Sequence, residues 1–303
     1  MGVMRLGFVH VRETDLEKAS QYYTQVLGLQ EVTRQDGRHY FKCWDEYDHH
    51  SLVIENGGLG LVKMGYKVES PDDLARIERA AQTFGLSVER VSKGDNLGQG
   101  EALRCILPSD HVLELYAEAE QPGTSVGVLN PDPWPSQQTG IAPSRLDHLL
   151  LTAEDVQTTV DFFTQVLGFR MSERIVPDQH SQELLAAFLF CSNKAHDIAF
   201  VKGPNGKLHH YAFWLDSWND ILRAGDTLSR NKLTIDMGPT RHGITRGTTI
   251  YFFGPNGNRN EVFSGGYTTY PDFPCITWTA DQIGRAIFYI QQEVNERFNT
   301  YLT

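Results

Sequence analysis

The stretch RLGFVHVRETDLEKASQYYTQVLGL (Arg5–Leu29) returns 140 residues later as RLDHLLLTAEDVQTTVDFFTQVLGF (Arg145–Phe169), and both copies contain TQVLG, at Thr24–Gly28 and Thr164–Gly168. Each copy reads as a strand, a turn and a helix. Leu16, Ala19, Tyr22, Tyr23 and Val26 keep helical spacing, and Gly28 supplies the left-handed stop. The likeness resumes at an offset of 147. KMGYKVESPDDL (Lys63–Leu74) pairs with HYAFWLDSWNDI (His210–Ile221), and PSDHVLEL (Pro108–Leu115) pairs with PNGNRNEV (Pro255–Val262). Ser70 followed by Pro71 marks a second helix start. With LVIEN, LRCILP, LEL, DIAFV and TIYFF as strands between these points, each half holds two strand-rich units built around a helix. The fold class is α+β, in two similar domains. The Pro- and Gly-rich stretch from Glu120 to Gly140 joins them, and the expected division is 1–125, a linker at 126–143, and 144–303.

Composition narrows the function. A net charge of −11 with no cluster of Lys or Arg argues against a nucleic-acid partner. No apolar run is long enough for a membrane span, and the N-terminus lacks the pattern of a signal peptide. The four cysteines stand far apart without a C-x-x-C pair, so neither a disulfide framework nor a zinc site is expected, and the cytoplasm is the expected location. Near the C-terminus, TADQIGRAIFYIQQEVNERF is expected to form one amphipathic helix. Thr279 and Gln282 stand at capping-box spacing, and Ile283, Ala286, Ile287, Ile290 and Val294 make its apolar face.

The repeat also serves as an internal control. His148, His210 and Glu261 align with Phe8, Lys63 and Glu114. Two imidazoles and a carboxylate carried by separate strands are the donor set of non-haem Fe(II) oxygenases. The alternative is structural: a histidine in an apolar strand is more often a hydrogen-bonded core residue, and Glu261 could pair with Arg259 or Arg241. In KLHHYAFWLD (Lys207–Asp216), neighbouring residues point to opposite faces of a strand, so His209 and His210 are not expected to serve one site. Periodicity does not choose between them; the repeat favours His210.

The stretches RLDHLLL, KAHDIAF, KLHHYAF and DMGPTRHGITRGTTIYFFGPNGNRNEVF resemble the two-domain extradiol ring-cleaving dioxygenases of the vicinal-oxygen-chelate superfamily, in particular the catechol-cleaving branch. The resemblance runs through essentially the whole chain. Gly254 departs from it, standing where the family has an acidic or amide residue before the proline. The resemblance implies that each domain is a pair of βαβββ modules forming a cup-shaped mixed sheet, with metal only in the C-terminal cup. It implies His148, His210 and Glu261 as ligands of Fe(II), or of Mn(II), and His209 on the other side of its strand. It implies His196 beside the position of O2, titrating near neutrality, and His242 and Tyr251 on the oxygens of the substrate. The partners it implies are a catechol and O2, and the assembly a homotetramer. The expected product of catechol is 2-hydroxymuconic semialdehyde. Rival readings are extradiol cleavage of a bicyclic diol, a metal-dependent glyoxalase-like enzyme and a drug-binding module. Trp214, Phe252, Phe253, Ile244 and Leu149 are candidates for a pocket wall, each more readily explained as core.

Overall fold

The computed structural model describes residues 2–303. The first module runs β1 (Val3–Glu13), α1 (Leu16–Gln21), β2 (Gln30–Gln35), β3 (Arg38–Lys42) and β4 (Leu52–Asn56); the second runs β5 (Gly60–Val68), α2 (Pro71–Phe84), β6 (Val88–Val91), β7 (Ala102–Ile106) and β8 (Val112–Tyr116). The second half repeats the plan with β9 (Arg145–Ala153), α3 (Val156–Asp161), β10 (Arg170–Val176), β11 (Ala186–Phe190) and β12 (Ile198–Lys202), then β13 (Leu208–Trp214), α4 (Trp218–Arg230), β14 (Ile235–Arg241), β15 (Gly247–Phe253) and β16 (Arg259–Gly265). These are four βαβββ modules. Two modules make one eight-stranded sheet, ordered β2-β3-β4-β1-β5-β8-β7-β6. The other two make a nine-stranded sheet, ordered β14-β15-β16-β13-β9-β12-β11-β10-β17, where β17 is Ile276–Thr279.

Local chemistry accounts for the helix starts. Ser70 accepts a hydrogen bond from the backbone N–H of Asp73, with Pro71 in the first turn, and Ser217 does the same for Asp220 in the fourth helix. The first helix does not stay regular to its end. It widens into a π-helical turn at Tyr22–Leu27, which Gly28 closes at φ 85°. The same turn recurs at Phe162–Val166, so the repeat preserves an irregularity as well as the regular parts.

The two halves pack against each other beside β1 and β9. Tyr23 and Tyr211 share a buried hydroxyl–hydroxyl hydrogen bond of 2.5 Å, and Tyr22 donates to Asn260. Asn258 donates to the Arg12 carbonyl and accepts from the Gly60 N–H. The NGNRN run therefore ties the second half to the first while leading into β16. Gly254 needs no special backbone there, because a Cβ would meet nothing closer than 3.5 Å.

The expected long C-terminal helix is broken. The chain forms a 3₁₀ turn at Ala280–Gln282, a short α5 (Ile283–Ile287), an irregular stretch, and α6 (Glu296–Thr300). Thr279 makes no side-chain cap; Asn295 caps the last helix instead. Tertiary contacts override the helical pattern. Phe288 leaves helical geometry, at φ −126° and ψ 87°, and drops its fully buried ring between Tyr251 and Phe298. Ile290, expected on the apolar face, stays exposed.

Candidate metal centre

His148 lies on β9, His210 on β13 and Glu261 on β16, three neighbouring strands. Ala212 is paired with His148 on one side and with Glu261 on the other, and Tyr251 of β15 is paired with Glu261. A row of side chains, Tyr251–Glu261–Ala212–His148, thus crosses four strands, and the small methyl of Ala212 leaves room at its centre. His210, two residues before Ala212, points to the same face. One ligand atom from each of His148, His210 and Glu261 lies within 4.8 Å of the others, and all three residues are buried.

The donor set fits a divalent cation. His148 donates its Nδ1–H to Asp147 Oδ2 at 2.8 Å, so its Nε2 is the atom turned to the cluster, 3.0 Å from Glu261 Oε2. His210 Nε2 also lies 3.0 Å from Glu261 Oε2, yet it is buried without a hydrogen-bond partner. The other carboxylate oxygen, Oε1, accepts from Thr249 at 2.5 Å. Lys194 bonds both the carbonyl of Asp147 and the carboxylate of Asp197, and so steadies the residues next to His148 and His196. Glu261 is not an ion-pair partner of an arginine: Arg259 binds Asp236, and Arg241 donates to the Arg246 carbonyl.

Charge follows the same geometry. Burial raises the cost of an ionised Glu261, but His148 and the surrounding donors hold it well below the usual carboxylate range. Burial also disfavours a charged His148, yet Glu261 and Asp147 outweigh it and raise its pKa to about 9. Burial lowers His210 to about 4 against the opposing pull of Glu261. A buried carboxylate kept ionised beside imidazole nitrogens, with His210 held neutral, is matched to a cation at their centre.

Around the cluster stand His196, His242 and Tyr251, the three residues that the family resemblance implies. The His196 ring lies 4.1 Å from that of His148, centroid to centroid. Burial and then the neighbouring His148 push its pKa well below the ordinary value. His196 is therefore neutral, which corrects the expectation of a group titrating near pH 7. His242 donates its Nδ1–H to the Ile287 carbonyl at 2.5 Å, which leaves Nε2 to accept from the Tyr251 hydroxyl at 3.0 Å. Burial and then Glu261 raise the pKa of Tyr251 well above the usual phenol range, so it remains a donor.

These residues line one cavity with Leu150, Phe188, Ile244, Ile287 and Phe298. Of the proposed wall residues only Ile244 reaches it; Leu149 and Phe252 are core, Phe253 packs on Tyr301, and Trp214 borders an adjacent groove. A larger groove of about 540 Å³ between the halves is lined by Arg5, Asp48, Arg145 and Lys194 and does not include the cluster.

The first half has the same row without the two imidazoles. Phe8, Gly65 and Glu114 stand where His148, Ala212 and Glu261 do. The Phe8 ring occupies the space at Gly65, where an added Cβ would lie 1.9 Å from it. Lys63 Nζ sits 2.9 Å from Glu114, and Arg104 closes on the same carboxylate.

A profile described as Glyoxalase/Bleomycin resistance protein/Dioxygenase superfamily matches residues 145–262, and one described as Catechol 2,3-dioxygenase-like N-terminal domain matches residues 63–120. The chain is 44% identical to a metapyrocatechase of Pseudomonas sp. (strain CF600), over 100% of this chain and 99% of that one. This chain is an extradiol dioxygenase of the vicinal-oxygen-chelate superfamily. Another relative of this dioxygenase, a manganese-dependent 2,3-dihydroxybiphenyl 1,2-dioxygenase of Geobacillus genomosp. 3, is 30% identical over 96% of this chain and 95% of its own. Among solved structures, the 2,3-dioxygenase LapB from Pseudomonas sp. KL28 superposes with a TM-score of 0.90 at 46% identity, covering 93% of this chain and 99% of that one.

Asp147, Thr249 and the backbone carbonyl of Ile287 were not singled out by the sequence. Asp147 alone left a signal, a carboxylate directly beside a ligand histidine in RLDHLLL.

His209 is the clear departure. A β-bulge between Leu208 and His210 breaks the alternation of β13 against β9. In place of facing the other side, the His209 ring brings its Nδ1 within 2.7 Å of His210 Nδ1.

Proposed function

We propose that the enzyme opens the ring of catechol or a substituted catechol beside its two hydroxyls, with O2, to a 2-hydroxymuconic semialdehyde, using Fe(II) held by His148, His210 and Glu261. One observation carries this reading. The two imidazoles and one carboxylate converge on a buried face whose other polar groups, His196, His242 and Tyr251, all turn toward the same mostly apolar cavity. When bound, Fe(II) supplies the Lewis acidity that makes a catechol hydroxyl acidic and the redox contact that O2 requires.

The chain's own residues do the rest. The flat apolar walls from Phe188, Ile244 and Phe298 take an aromatic ring and keep water out. His242 Nε2, now bonded to the Tyr251 hydroxyl, is an acceptor that a substrate hydroxyl can take over. Tyr251, freed by that exchange, donates to the deprotonated oxygen. His196, neutral and next to the ligands, can accept a substrate proton and return it when an O–O bond breaks.

Mn(II) is the alternative metal, favoured by the name of the Geobacillus relative. Exposed Val128, Leu129 and Trp134, in the stretch between the halves, give apolar surface for the contacts of a homotetramer, and the same reading places the enzyme in the cytoplasm. Anaerobic reconstitution with Fe(II), followed by catechol and O2, tests the reaction. One O2 consumed per yellow semialdehyde formed supports it. Reaction with bicyclic diols but not with catechol overturns the substrate, and failure to bind metal overturns the site.

A further inference from the structure

We infer that His209 is a positioning residue, which fixes the tautomer of the ligand His210 and links that ligand to the C-terminal tail. The inference rests on the metal site proposed above. His209 Nε2 lies 2.8 Å from the Phe298 carbonyl oxygen. A carbonyl only accepts, so this nitrogen carries the proton. In a neutral ring the other nitrogen, Nδ1, is then bare. It faces His210 Nδ1 at 2.7 Å, so it must accept, and His210 Nδ1 must be the donor. That leaves His210 Nε2 bare, and this is the atom that faces Glu261 and His148 and has no hydrogen-bond partner.

The relay reads Phe298 C=O, His209 and His210 in line, and each link fixes the next. The bulge in β13 makes it possible, because a regular strand would send the His209 ring to the far face. Packing holds the geometry. The His209 ring lies edge-on to Phe298 at 4.7 Å, and both histidines are buried. His148 obtains the same result by a different route, from the Asp147 carboxylate. The two ligand imidazoles are therefore oriented by unlike groups, one anionic and local, the other neutral and reaching to the last helix. A partner on the far nitrogen of a ligand histidine typically contributes 10- to 100-fold to metal affinity.

The test compares metal-free parent, His209→Gln and His209→Leu in Mn(II) titrations read by the free-ion EPR signal, with thermal melts in parallel. Gln offers an acceptor to His210 and a donor to Phe298, whereas Leu offers neither. The expected result is binding within about threefold of the parent for Gln and at least tenfold weaker for Leu, with both variants folded. Leu binding as tightly as the parent, or Gln binding as weakly as a folded Leu variant, overturns the relay. Should the Leu variant fail to fold, ¹⁵N-histidine NMR of the metal-free parent decides. Protons on His209 Nε2 and His210 Nδ1 are expected, and any other tautomer of the pair overturns the inference. A parent that binds no Mn(II) and no Fe(II) defeats the metal site itself, an outcome distinct from a bound metal with indifferent His209 variants.

Discussion

Replacing Arg259 by Met should loosen the C-terminal tail and, through it, the cavity. Arg259 is fully buried. Its Nε bonds Asp236 at 3.0 Å, and its terminal nitrogens donate to the carbonyls of Tyr301 and Arg297 at 3.0 and 3.2 Å. Removing one partner of a buried ion pair costs about 3–5 kcal/mol. Asp236 would keep Arg297, itself half exposed at 52%, which places the loss at the lower end, about 3 kcal/mol. The three carbonyls that lose a charged donor, that of His209 at 3.4 Å included, add roughly 1–2 kcal/mol more. Met retains much of the aliphatic stem, so the change reads the guanidinium rather than the packing. Urea unfolding of the metal-free enzyme should therefore show a loss of about 4 kcal/mol. Amide exchange should accelerate at Phe298–Thr303, where Thr303 is paired with Leu208. Turnover should fall as well, since Phe298 is a cavity wall. A loss below about 1 kcal/mol with unchanged exchange in the tail would refute the reasoning.

Three further outcomes follow from the same geometry. Ala212→Leu fills the centre of the ligand row; metal bound per protein after reconstitution should drop to near zero, at a stability cost of about 1–3 kcal/mol, and full loading would contradict the row. His196→Phe should retain metal and bind catechol while kcat falls about 10²- to 10⁴-fold; normal turnover at saturating substrate would remove its proton-transfer role. Burial holds His10 and His50 at pKa values of about 3 and His111 at about 4, below the unfolded value of about 6.5. The unfolded chain then binds more protons between those limits. The share of stability these three histidines contribute should be complete above pH 6.5 and fall toward pH 4, by roughly 1.4 kcal/mol per pH unit for each histidine. Urea midpoints at pH 7 and pH 5 measure this, and His111→Gln should flatten the slope.

The modules and the trio His148, His210 and Glu261 left marks in residue type, whereas His196, His242 and Tyr251 were implied only by the resemblance to the family. Capping Ser70, the Gly28 stop and the His/Phe and His/Lys contrasts between copies are all visible without coordinates. What escaped is carried by backbone. The bulge before His210 has no residue signature, so strict alternation misplaced His209. The carbonyls of Ile287 and Phe298 orient two histidines, and a carbonyl belongs to every residue type. The C-terminal segment has a genuine helical pattern, yet burying Phe288 and presenting the Ile287 carbonyl to His242 outweigh it. The neutral state of His196 likewise depends on its burial and on how near His148 comes, which only the fold decides.

The lysine of the first cup gives the molecule an asymmetric response to chelators. There the charge that balances Glu114 is covalently attached and cannot be extracted, whereas its counterpart beside Glu261 would be on loan from solution. Stripping metal should silence one cup and leave its twin untouched, so the first half can act as a permanently braced buttress, holding the emptied half in register until an ion returns.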